Sequence, residues 1–281
     1  LSVDTLFIDE AAQSFEAACW AAIRHADRVI FAGDHKQLPP TIKCREAERA
    51  GLSRTLMEFV AQQKPSCVEL LTIQYRMHRT IMQFSSDWFY HGRLVAAPEC
   101  ADRTIVPIDP PLIWIDTANL GYEEEQNAIS QSRLNTNEGI LLVETLKLYV
   151  NQLGIERLLD NRVDFGIISP YKSQVQLLRR LIRQEKELKP LLPYITINTV
   201  DGFQGQERDV ILISMVRGND EGRIGFLGDL RRMNVAITRA RMKLIILGDT
   251  STLSRTPFYR RLIEHVTAHG RMLVIPGHNE S

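Results

Sequence analysis

Short, mainly apolar runs, most of them followed directly by a polar residue or a glycine, recur along this chain. They constrain its fold more than any other feature. They lie in the segments 3–8, 28–32, 164–168, 209–216 and 243–248. Runs of this length are typical of parallel strands that are buried on both faces. Segments with helical periodicity separate them, and this alternation predicts an α/β fold whose parallel sheets are flanked by helices.

The remaining pattern completes the predicted secondary structure. Helices are predicted over residues 15–26, 52–63, 80–90, 136–153, 172–188 and 258–269, and further strands over 67–73, 112–115, 195–200 and 273–275. Asn135, followed three residues later by Glu138, has the spacing of a capping box at the start of a helix. The polar, acidic segment 121–132 predicts a mobile surface loop.

Composition limits the class of protein. A length of 281 residues suggests about two domains, and a hydrophobic fraction of 44% is ordinary for a globular protein with a proper core. Lysine and arginine total 34, as do aspartate and glutamate, so any nucleic-acid site has to be a local patch of charge. A Gly-Asp pair follows the apolar runs at both 28–32 and 243–248, which fits two α/β units with a division near residue 70.

Cysteine usage and the first residues bear on location. The four cysteines are far apart and form no C-x-x-C pair, which argues against a zinc site and against a disulfide scaffold. No apolar run approaches the ~20 residues of a membrane span, and the start lacks the features of a signal peptide. We therefore expect a soluble, intracellular, cytoplasmic protein without a membrane partner. Because the sequence starts at Leu1 and not at methionine, we also expect a longer parent protein.

Two adjacent carboxylates, Asp9 and Glu10, follow the first apolar run. The carboxyl ends of parallel strands are where α/β proteins place their chemistry. At such a place one carboxylate can hold a magnesium ion through water, while the other takes a proton from an attacking water. A strand-end turn with two solvated acids is the alternative, because acidic pairs are common.

Polar groups follow three other predicted strands. Gln37 lies in the segment 33–40 and, with both a donor and an acceptor, can sense a phosphate or orient a water. Tyr75 and Arg76 can stack on a base and reach a phosphate, although a core tyrosine beside a surface arginine is equally compatible. Segment 169–174 can bind an anion at a helix start, whereas the charges further along that helix are typical of a solvated face.

A glycine-containing turn precedes the apolar run at 209–216. Segment 195–200 alternates polar and apolar residues and leads into this turn. Gly202 and Gly205 allow the backbone to approach a ligand closely. Glu207, at the end of the turn, can accept hydrogen bonds from a ribose.

A basic segment, residues 228–241, precedes the last long apolar run. At helical spacing, four of its apolar residues form one stripe: Met233, Ala236, Ile237 and Ala240. Arg232 and Arg239 share one flank of this stripe. Paired guanidiniums at the edge of a packed helix suit phosphate, which they bind by bidentate hydrogen bonds. Taken alone, the segment is more typical of an amphipathic helix with solvated arginines.

Six sequence blocks occur together and in one order. They are Asp9-Glu-Ala-Ala-Gln13, Gly33-Asp-His-Lys-Gln-Leu-Pro-Pro40, Gln74-Tyr-Arg-Met-His78, Ser169-Pro-Tyr-Lys-Ser-Gln174, Thr199-Val-Asp-Gly-Phe-Gln-Gly-Gln-Glu207 and Arg231-Arg-Met-Asn-Val-Ala-Ile-Thr-Arg-Ala-Arg241. In these blocks the chain resembles the up-frameshift-like branch of the superfamily-1 helicases, and within it the immunoglobulin-μ-binding-protein-like enzymes. The resemblance covers nearly the whole chain, to about Asp249.

This resemblance implies two RecA-like domains with ATP and Mg²⁺ in the cleft between them. By position, Asp9 resembles the residue that holds Mg²⁺ through water, Glu10 the catalytic base, and Gln37 the sensor of the γ-phosphate and the water. Tyr75 resembles the residue that stacks on the adenine, and Glu207 resembles the ribose contact. Arg76 and Arg239 resemble the two arginines on the γ-phosphate, with Arg239 as the arginine finger. Gly205 and Arg232 lie in the same blocks and are assigned to the nucleotide site with them. Residues in blocks that face single-stranded DNA or RNA in the family are Pro39, Lys172 and Thr199.

The chain departs from the family in one respect. It contains no Gly-x-x-x-x-Gly-Lys-Ser/Thr motif, the P-loop that cradles the phosphates and supplies a hydroxyl to the magnesium ion. In the family this loop precedes the Asp-Glu block. Residues 1–70 therefore resemble the C-terminal part of a first RecA-like domain, and residues 71–281 a complete second one. We expect the missing N-terminal half of the first domain to be a partner, and the isolated chain to be inactive.

Three functions follow from these features. The resemblance predicts the C-terminal portion of an ATP-dependent helicase that translocates on single-stranded nucleic acid, in the 5′→3′ direction if the family rule holds. A non-catalytic module that binds nucleic acid or a partner is an alternative, which the missing P-loop favours for the chain itself. An ATPase that remodels ribonucleoproteins without unwinding is a third. Backbone contacts and base stacking discriminate poorly, so no preference between DNA and RNA is predicted.

Overall fold

The structure is a computed structural model that describes residues 2–42 and 44–275, except for the side chain at position 45. The chain forms two compact units, Leu1–Leu71 and Thr72–Ser281. No helix in the part of the chain that the structure describes is long and apolar enough to cross a membrane.

Two parallel strands organise the first unit. β1 covers Val3–Ile8 and β2 covers Ala26–Phe31, with Ile8 beside Phe31 at their carboxyl ends. The helices are α1, Glu16–Ile23; α2, Arg45–Ala47; and α3, Leu56–Gln63; a π-helical turn, Glu48–Leu52, lies between α2 and α3. The bounds predicted for β1 are confirmed, while β2 begins two residues earlier than predicted.

The strand predicted over residues 67–73 is wrong. Pro65–Cys67 form a 3-10 turn, and only Ile73–Gln74, strand β3, pairs with strand β4 at Val95–Ala96. Val68 is 46% exposed and Leu71 is 84% exposed. Strand formation depends on packing against neighbouring side chains, which these two exposed residues lack in the described structure.

The second unit alternates strands and helices. After β3 and β4 its strands are β5, Leu112–Asp116; β6, Glu125–Gln126; β7, Arg133–Leu134; β8, Phe165–Ser169; β9, Ile195–Thr199; β10, Arg208–Ser214; β11, Ala240–Gly248; and β12, Arg271–Val274. Its helices are α4, Arg79–Phe89; α5, Pro98–Ala101; α6, Thr136–Leu153; α7, Ile155–Asp160; α8, Lys172–Gln184; α9, Leu230–Ile237; α10, Thr250–Leu253; and α11, Pro257–His269. The predictions for α4, α6 and α11 agree within one residue, and α8 ends four residues before its predicted end.

One six-stranded parallel sheet lies at the centre of this unit, in the order β12-β5-β11-β10-β8-β9. Strands β10 and β11 are buried along almost their whole length, as expected for parallel strands that are covered on both faces. Helices α6 and α8 pack on the sheet around Leu146, Leu178 and Leu212. Helices α4, α9 and α11 pack against β5, β11 and β12. The predicted fold class, α/β with a RecA-like parallel sheet flanked by helices, is confirmed.

Helix α6 begins at the predicted cap, but the capping box is only half formed. The Asn135 side chain accepts a hydrogen bond of 2.9 Å from the Glu138 backbone N–H, as predicted. The Glu138 carboxylate does not return to Asn135. It instead accepts hydrogen bonds from Ser214 Oγ at 2.5 Å and from Val216 N at 2.8 Å, so it joins the helix start to the end of β10.

The basic segment forms a shorter helix than its apolar stripe predicts. Asp229 caps α9 by accepting from Arg231 N, and the helix ends at Ile237. Ala240 already belongs to β11, where it pairs with Arg208 of β10. The four stripe residues are buried, as predicted, although three of them lie in α9 and the fourth lies in β11. Arg239, however, lies in the connection, so the prediction that Arg232 and Arg239 share a helix flank is wrong.

Candidate functional site

The acidic pair of the first unit lies at the carboxyl end of β1. Asp9 and Glu10 are both exposed, and Glu10 has a left-handed backbone with φ 49°. Glu10 N donates to Asp9 Oδ1 at 2.9 Å, and Gln13 Nε2 donates to Glu10 Oε2 at 2.6 Å. The turn therefore holds the two carboxylates side by side, and Gln13 orients the second one.

The block that contains Gln37 lies beside this pair. Ala11 N donates to the carbonyl of Ala32, the last residue before Gly33, at 2.9 Å. A Cβ atom at Gly33 would lie 3.0 Å from Ala12 N, which is tighter than an ordinary contact, so glycine favours this close approach. Gln37 Nε2 donates to Asp34 Oδ2 at 2.9 Å. Asp9, Glu10 and Gln37 thus follow two adjacent parallel strands.

Pro39, predicted to face nucleic acid, follows Gln37 in the same loop. Its side chain is half-buried, between the buried residues Leu38 and Pro40. The loop is thereby anchored by apolar contacts on either side of Pro39, and that proline keeps part of its surface accessible.

In the second unit, charged residues from three blocks meet at the amino end of the sheet. This amino-end cluster consists of Arg76, Glu207, Asp209, Arg239 and Arg241. Arg76 Nε donates to Glu207 Oε2, and Arg76 Nη1 donates to the Thr238 carbonyl at 3.1 Å. Arg241 joins Glu207 Oε1 to Asp209 Oδ1 by two hydrogen bonds of 3.0 Å each.

The Glu207 carboxylate lies between two guanidiniums. Its partial burial acts to raise its pKa, but the charges and hydrogen bonds of Arg76 and Arg241 outweigh this, and the pKa of Glu207 is lowered. The group therefore stays ionised at neutral pH. A carboxylate offers about four acceptor sites, so the two arginine bonds leave capacity for a sugar hydroxyl.

Arg239, the predicted finger, is only 3% exposed. Its Nε donates to the Val235 carbonyl at 3.0 Å, its Nη1 to the Gln206 carbonyl at 3.2 Å, and its Nη2 to Thr238 Oγ1 at 3.1 Å. These three acceptors are neutral, and they lie in α9, in the turn before β10 and in the connection before β11. Contact with a phosphate requires the exchange of some of these acceptors for phosphate oxygens.

The other predicted nucleotide contacts differ in their surroundings. Tyr75 is 67% exposed beside Arg76, with a ring face open for stacking. Gly205 has φ 75°, a conformation that favours glycine, and a Cβ there would meet no atom within 4 Å. Arg232 lies 3.3 Å from Asp229 and 3.7 Å from Asp201, and none of its described contacts is with the amino-end cluster. Arg232 therefore does not share a helix flank with Arg239, and its predicted place among the nucleotide contacts stays a prediction.

Lys172 and Thr199, predicted nucleic-acid contacts, lie at the opposite, carboxyl end of the sheet. The pairing of Ser169 with Thr199 aligns the ends of β8 and β9. Lys172 is exposed at the first turn of α8. Thr199 Oγ1 accepts from Gly202 N at 3.3 Å, which leaves its hydroxyl proton available as a donor.

A buried polar network, which the sequence did not predict, supports this carboxyl end. It consists of Asn135, Glu138, Gln174 and Ser214, and we call it the carboxyl-end network. Gln174 Oε1 accepts from Asn135 N at 2.9 Å, while Gln174 Nε2 donates to the Asn135 carbonyl at 3.1 Å and to Ser214 Oγ at 3.0 Å. Gln174 is therefore a structural residue and not an anion contact. The serine inside the apolar run at 209–216 was the available signal.

Glu138 is fully buried in this network, and none of its hydrogen-bond partners in the described part of the chain is a cation. Burial raises its pKa to about 7, although the hydrogen bonds from Ser214 and Val216 act in the opposite direction. Val216 has φ 72°, which is strained for a β-branched residue. The contacts to Glu138 and Asn135 hold the backbone in that conformation.

The acidic segment 121–132 is tied to the same end of the sheet. Glu124 lies 2.5 Å from Arg217 and 2.7 Å from Arg133, and the side chains of Glu124 and Arg217 are both nearly buried. β6 and β7 form an antiparallel pair at its margins. The prediction of a polar loop captures its composition but misses this buried ion pair, since a single glutamate gives no sequence signal of its partner.

A cavity of about 570 Å³ in the second unit contains none of the predicted site residues. Its walls are mainly aliphatic, from β5, β11, β12 and α6, with Asp109, Tyr149 and Lys243 among the lining residues. Lys243 Nζ donates to Asp109 and to the Pro110 carbonyl, and Tyr149 Oη donates to Asp109 at 2.5 Å. These polar groups satisfy one another, and burial lowers the pKa of Lys243. We therefore assign them a structural role.

Comparison with known proteins assigns the chain to a family. A family model described as an AAA domain matches residues 52–251, and a second model with the same description matches residues 1–45. The chain belongs to this family, in its superfamily-1 helicase branch. The predicted resemblance to up-frameshift-like helicases is thereby confirmed.

Several curated relatives match nearly all of the chain. DNA-binding protein SMUBP-2 of Rattus norvegicus is 38% identical, over 96% of this chain and 27% of that protein. DNA polymerase alpha-associated DNA helicase A of Saccharomyces cerevisiae is 36% identical, over 90% of this chain and 39% of that protein. Helicase SEN1 of the same yeast is 38% identical, over 94% of this chain and 12% of that protein. The chain therefore spans less than half the length of these relatives.

Proposed function

We propose that this chain supplies part of the ATPase and translocation machinery of an ATP-dependent helicase that acts on single-stranded nucleic acid. In this proposal Leu1–Leu71 is the C-terminal part of a first RecA-like domain, and Thr72–Ser281 is the second RecA-like domain. The first unit contributes the residues that activate water, and the second contributes the arginines for the phosphates.

The amino-end cluster is the observation that carries the proposal. Arg76 and Glu207 are 131 positions apart in the chain and yet form an ion pair, to which Arg241 is also bonded. Arg239 lies in the connection into the next strand, bonded to the backbone of Gln206. A scaffold needs no such concentration of guanidiniums, whereas phosphoryl transfer depends on charge neutralisation by positioned arginines.

The residues present fit a magnesium nucleotide. Asp9 and Glu10 offer exposed oxygen ligands, and Mg²⁺ is commonly bound through one or two carboxylates together with water and substrate phosphates. No group of three or more His, Cys, Asp or Glu side chains within residues 2–42 and 44–275 could hold a metal ion. In this proposal Asp9 would hold Mg²⁺ through water, as the family resemblance implies, together with substrate phosphates.

Each residue has a stated part in this proposal. Bound ATP supplies the phosphoanhydride bond that is cleaved. Glu10, oriented by Gln13, accepts the proton of the attacking water, and Gln37 orients that water. Arg76 and Arg239 neutralise charge on the γ-phosphate, Tyr75 stacks on the adenine, and Glu207 accepts from the ribose. Gly205 and Arg232 lie in the same blocks, with Arg232 as a supporting residue.

Nucleic acid is proposed to bind through Pro39, Lys172 and Thr199. The exposed ammonium of Lys172 suits a phosphate, and Thr199 can donate its hydroxyl proton to the backbone. Two relatives carry names that refer to DNA, so single-stranded DNA is the first substrate to test, with RNA as its comparison.

An ATPase assay tests the proposal. The chain by itself, which contains no P-loop, is expected to show no Mg²⁺-dependent turnover above background, with or without single-stranded oligonucleotides. A longer polypeptide that also contains a P-loop is expected to hydrolyse ATP, with stimulation by oligonucleotides. Robust turnover by the chain alone would contradict the first expectation. Nucleic-acid binding without turnover by the longer polypeptide would favour the alternative, a non-catalytic binding module.

A further inference from the structure

One exposed helix face extends from the carboxyl end of the sheet and carries charge of a single sign. Helix α8, Lys172–Gln184, contains four cations and no acid. Val175, Leu178 and Ile182 are buried against the sheet, while Lys172, Arg180 and Arg183 are exposed. We propose that Lys172, Arg180 and Arg183 form one continuous surface, the α8 basic face, that binds the phosphates of single-stranded nucleic acid. This inference rests on the proposed function, since it extends the nucleic-acid site.

Helix geometry aligns these cations. Lys172 and Arg183 are eleven residues apart, which is about three helical turns, so they point to the same side. Arg180 lies between them, on one flank of the line. Eleven residues of helix span about 16 Å, which corresponds to at most about five nucleotides at ~3.4 Å per nucleotide. The face is therefore long enough to follow a backbone beyond the single contact expected at Lys172.

The nearby acids point away from this face. Glu185 lies 3.1 Å from Lys147 of α6, and Glu187 accepts from Asn151 of α6 at 3.3 Å. Among the described residues, neither hydrogen bonds nor ion pairs join Lys172, Arg180 or Arg183 to an acid. The chain as a whole has equal numbers of cations and acids, so this segregation produces a local positive field that the total charge hides.

Arg179 fixes the position of the face relative to the sheet. Its Nε and Nη2 donate to the Ile197 carbonyl of β9 at 3.1 Å and 2.6 Å. β9 is an edge strand of the sheet and ends at Thr199, a proposed nucleic-acid contact. The face therefore runs beside β9, and a strand bound at Thr199 and Lys172 can continue along it. A solvated helix surface, the sequence interpretation, would require no such continuity.

Salt dependence of binding separates the two interpretations. We would measure the affinity of the chain for a labelled 20-nucleotide strand across a salt series, because each phosphate contact on a single strand contributes about −0.7 to the slope of log K against log salt. The double variant Arg180→Gln/Arg183→Gln is expected to bind on the order of tenfold more weakly at moderate salt, with a slope shallower by about 1.4. For a strand of about three nucleotides, which at ~3.4 Å per nucleotide is shorter than the face, the double variant is expected to lose less affinity than it loses for the 20-nucleotide strand.

Matched variants control for charge and folding. Arg260→Gln/Arg261→Gln on α11 removes the same charge elsewhere, and it is expected to leave the slope unchanged. Arg180→Lys/Arg183→Lys keeps the charge and is expected to restore the slope. Far-ultraviolet circular dichroism and thermal melts check that all variants fold.

Each outcome decides between stated alternatives. If Lys172→Gln weakens binding while Arg180→Gln/Arg183→Gln matches the parent chain, the α8 basic face is overturned and the proposed function stands. If the unsubstituted chain binds no single-stranded nucleic acid, the α8 basic face is overturned, while the proposed function is decided separately by the ATPase assay on the longer polypeptide. Binding of an acidic polypeptide such as poly-glutamate in place of nucleic acid would assign the face to a protein partner and also overturn the proposal.

Discussion

A glutamate lies at each end of the six-stranded sheet, and the pKa values of these two glutamates are shifted in opposite directions. Glu207, at the amino end, is partly exposed between two guanidiniums, and its pKa is lowered. Glu138, at the carboxyl end, is fully buried among neutral partners, and its pKa is raised to about 7. The same side-chain type is thus a charged, exchangeable ligand at one end and a structural hydrogen-bond acceptor at the other.

This contrast distinguishes a candidate reaction site from its support. In the amino-end cluster, Arg76 and Arg241 are held by ionic bonds that a bound anion can replace, since guanidiniums bind phosphate as readily as carboxylate. Within the described residues, the carboxyl-end network joins Glu138 to neutral partners, and its hydrogen bonds fix the start of α6 against the end of β10. Substitutions in the amino-end cluster should therefore change mainly activity, and substitutions in the carboxyl-end network should change mainly stability.

The largest expected effect belongs to Arg239→Ala at the amino end. In a polypeptide that also contains a P-loop, this change is expected to lower ATP turnover by about 10³-fold, or roughly 4 kcal/mol of barrier. Nucleotide affinity should change little, because a finger acts mainly on the transition state. Steady-state ATPase assays and equilibrium binding of a nucleotide analogue measure the two quantities.

Arg232→Ala is the matched control, because Arg232 has its described contacts with Asp229 and Asp201. It should retain turnover within about threefold, a barrier change under ~1 kcal/mol. Turnover of Arg239→Ala within the same limit would remove Arg239 from the reaction site and weaken the contrast between the two sheet ends.

The next effect concerns Glu138→Gln in the carboxyl-end network. The folded-state pKa of about 7 lies above the ordinary value of 4.5, so the folded protein holds a proton that the unfolded chain releases between these values. Stability must then fall as pH rises from about 4.5 to 7, on the order of 3 kcal/mol for a fully buried group. The glutamine variant lacks this titration.

Urea unfolding of both proteins at several pH values tests this prediction. The difference in unfolding free energy, variant minus parent, should increase with pH through that window and level off above it. Glu144→Gln on the same helix, at an exposed carboxylate, is the control and should show no such trend. A pH-independent difference for Glu138→Gln would mean that the carboxyl group is not held in the neutral form.

The smallest effect is expected for the stability of Glu207→Gln. A lowered pKa means that the ionised carboxylate stabilises the fold above its ordinary value of 4.5, and that this contribution is lost as pH falls below it. Because the side chain is about one third exposed, solvent screening limits the contribution to about 1 kcal/mol or less. Thermal melts at pH 4 and pH 7 measure the loss.

At neutral pH the Glu207 variant should melt a few degrees lower than the parent, with a smaller difference at pH 4. Glu264→Gln, which removes an exposed carboxylate paired with Arg261 on α11, is the control. A destabilisation of Glu207→Gln as large as that expected at Glu138 would make the amino-end cluster a structural element and not an exchangeable site.

Most of the fold follows from local pattern. The apolar runs predicted β8, β10 and β11 because strands buried on both faces need no polar alternation. β1 forms at its predicted bounds although Phe7 is 69% exposed. Asn135 marked the start of α6 because its side-chain oxygen satisfies a free backbone donor, a contact within four residues. Features of this kind depend on neighbours in the chain, and the sequence displays them directly.

The failures involve partners distant in the chain. The run at 67–73 is apolar enough for a strand but does not obtain covering side chains. The stripe that ends at Ala240 is buried partly by helix and partly by strand, and periodicity does not separate the two. The second half of the capping box does not form, because the Glu138 carboxylate accepts a hydrogen bond from Ser214, 76 positions away in the chain. A pattern of neighbouring residues does not reveal such a distant partner.

The hydrogen bonds from Arg179 to the Ile197 carbonyl also affect how readily molecules of this protein associate with one another. An outermost strand offers unpaired backbone groups to any other chain that approaches it. Arg179 occupies one such carbonyl on β9 and places a charged side chain over the strand, which hinders the addition of a seventh strand from another molecule. The same helix side that is proposed to attract a polyanion thus also protects the sheet against self-association.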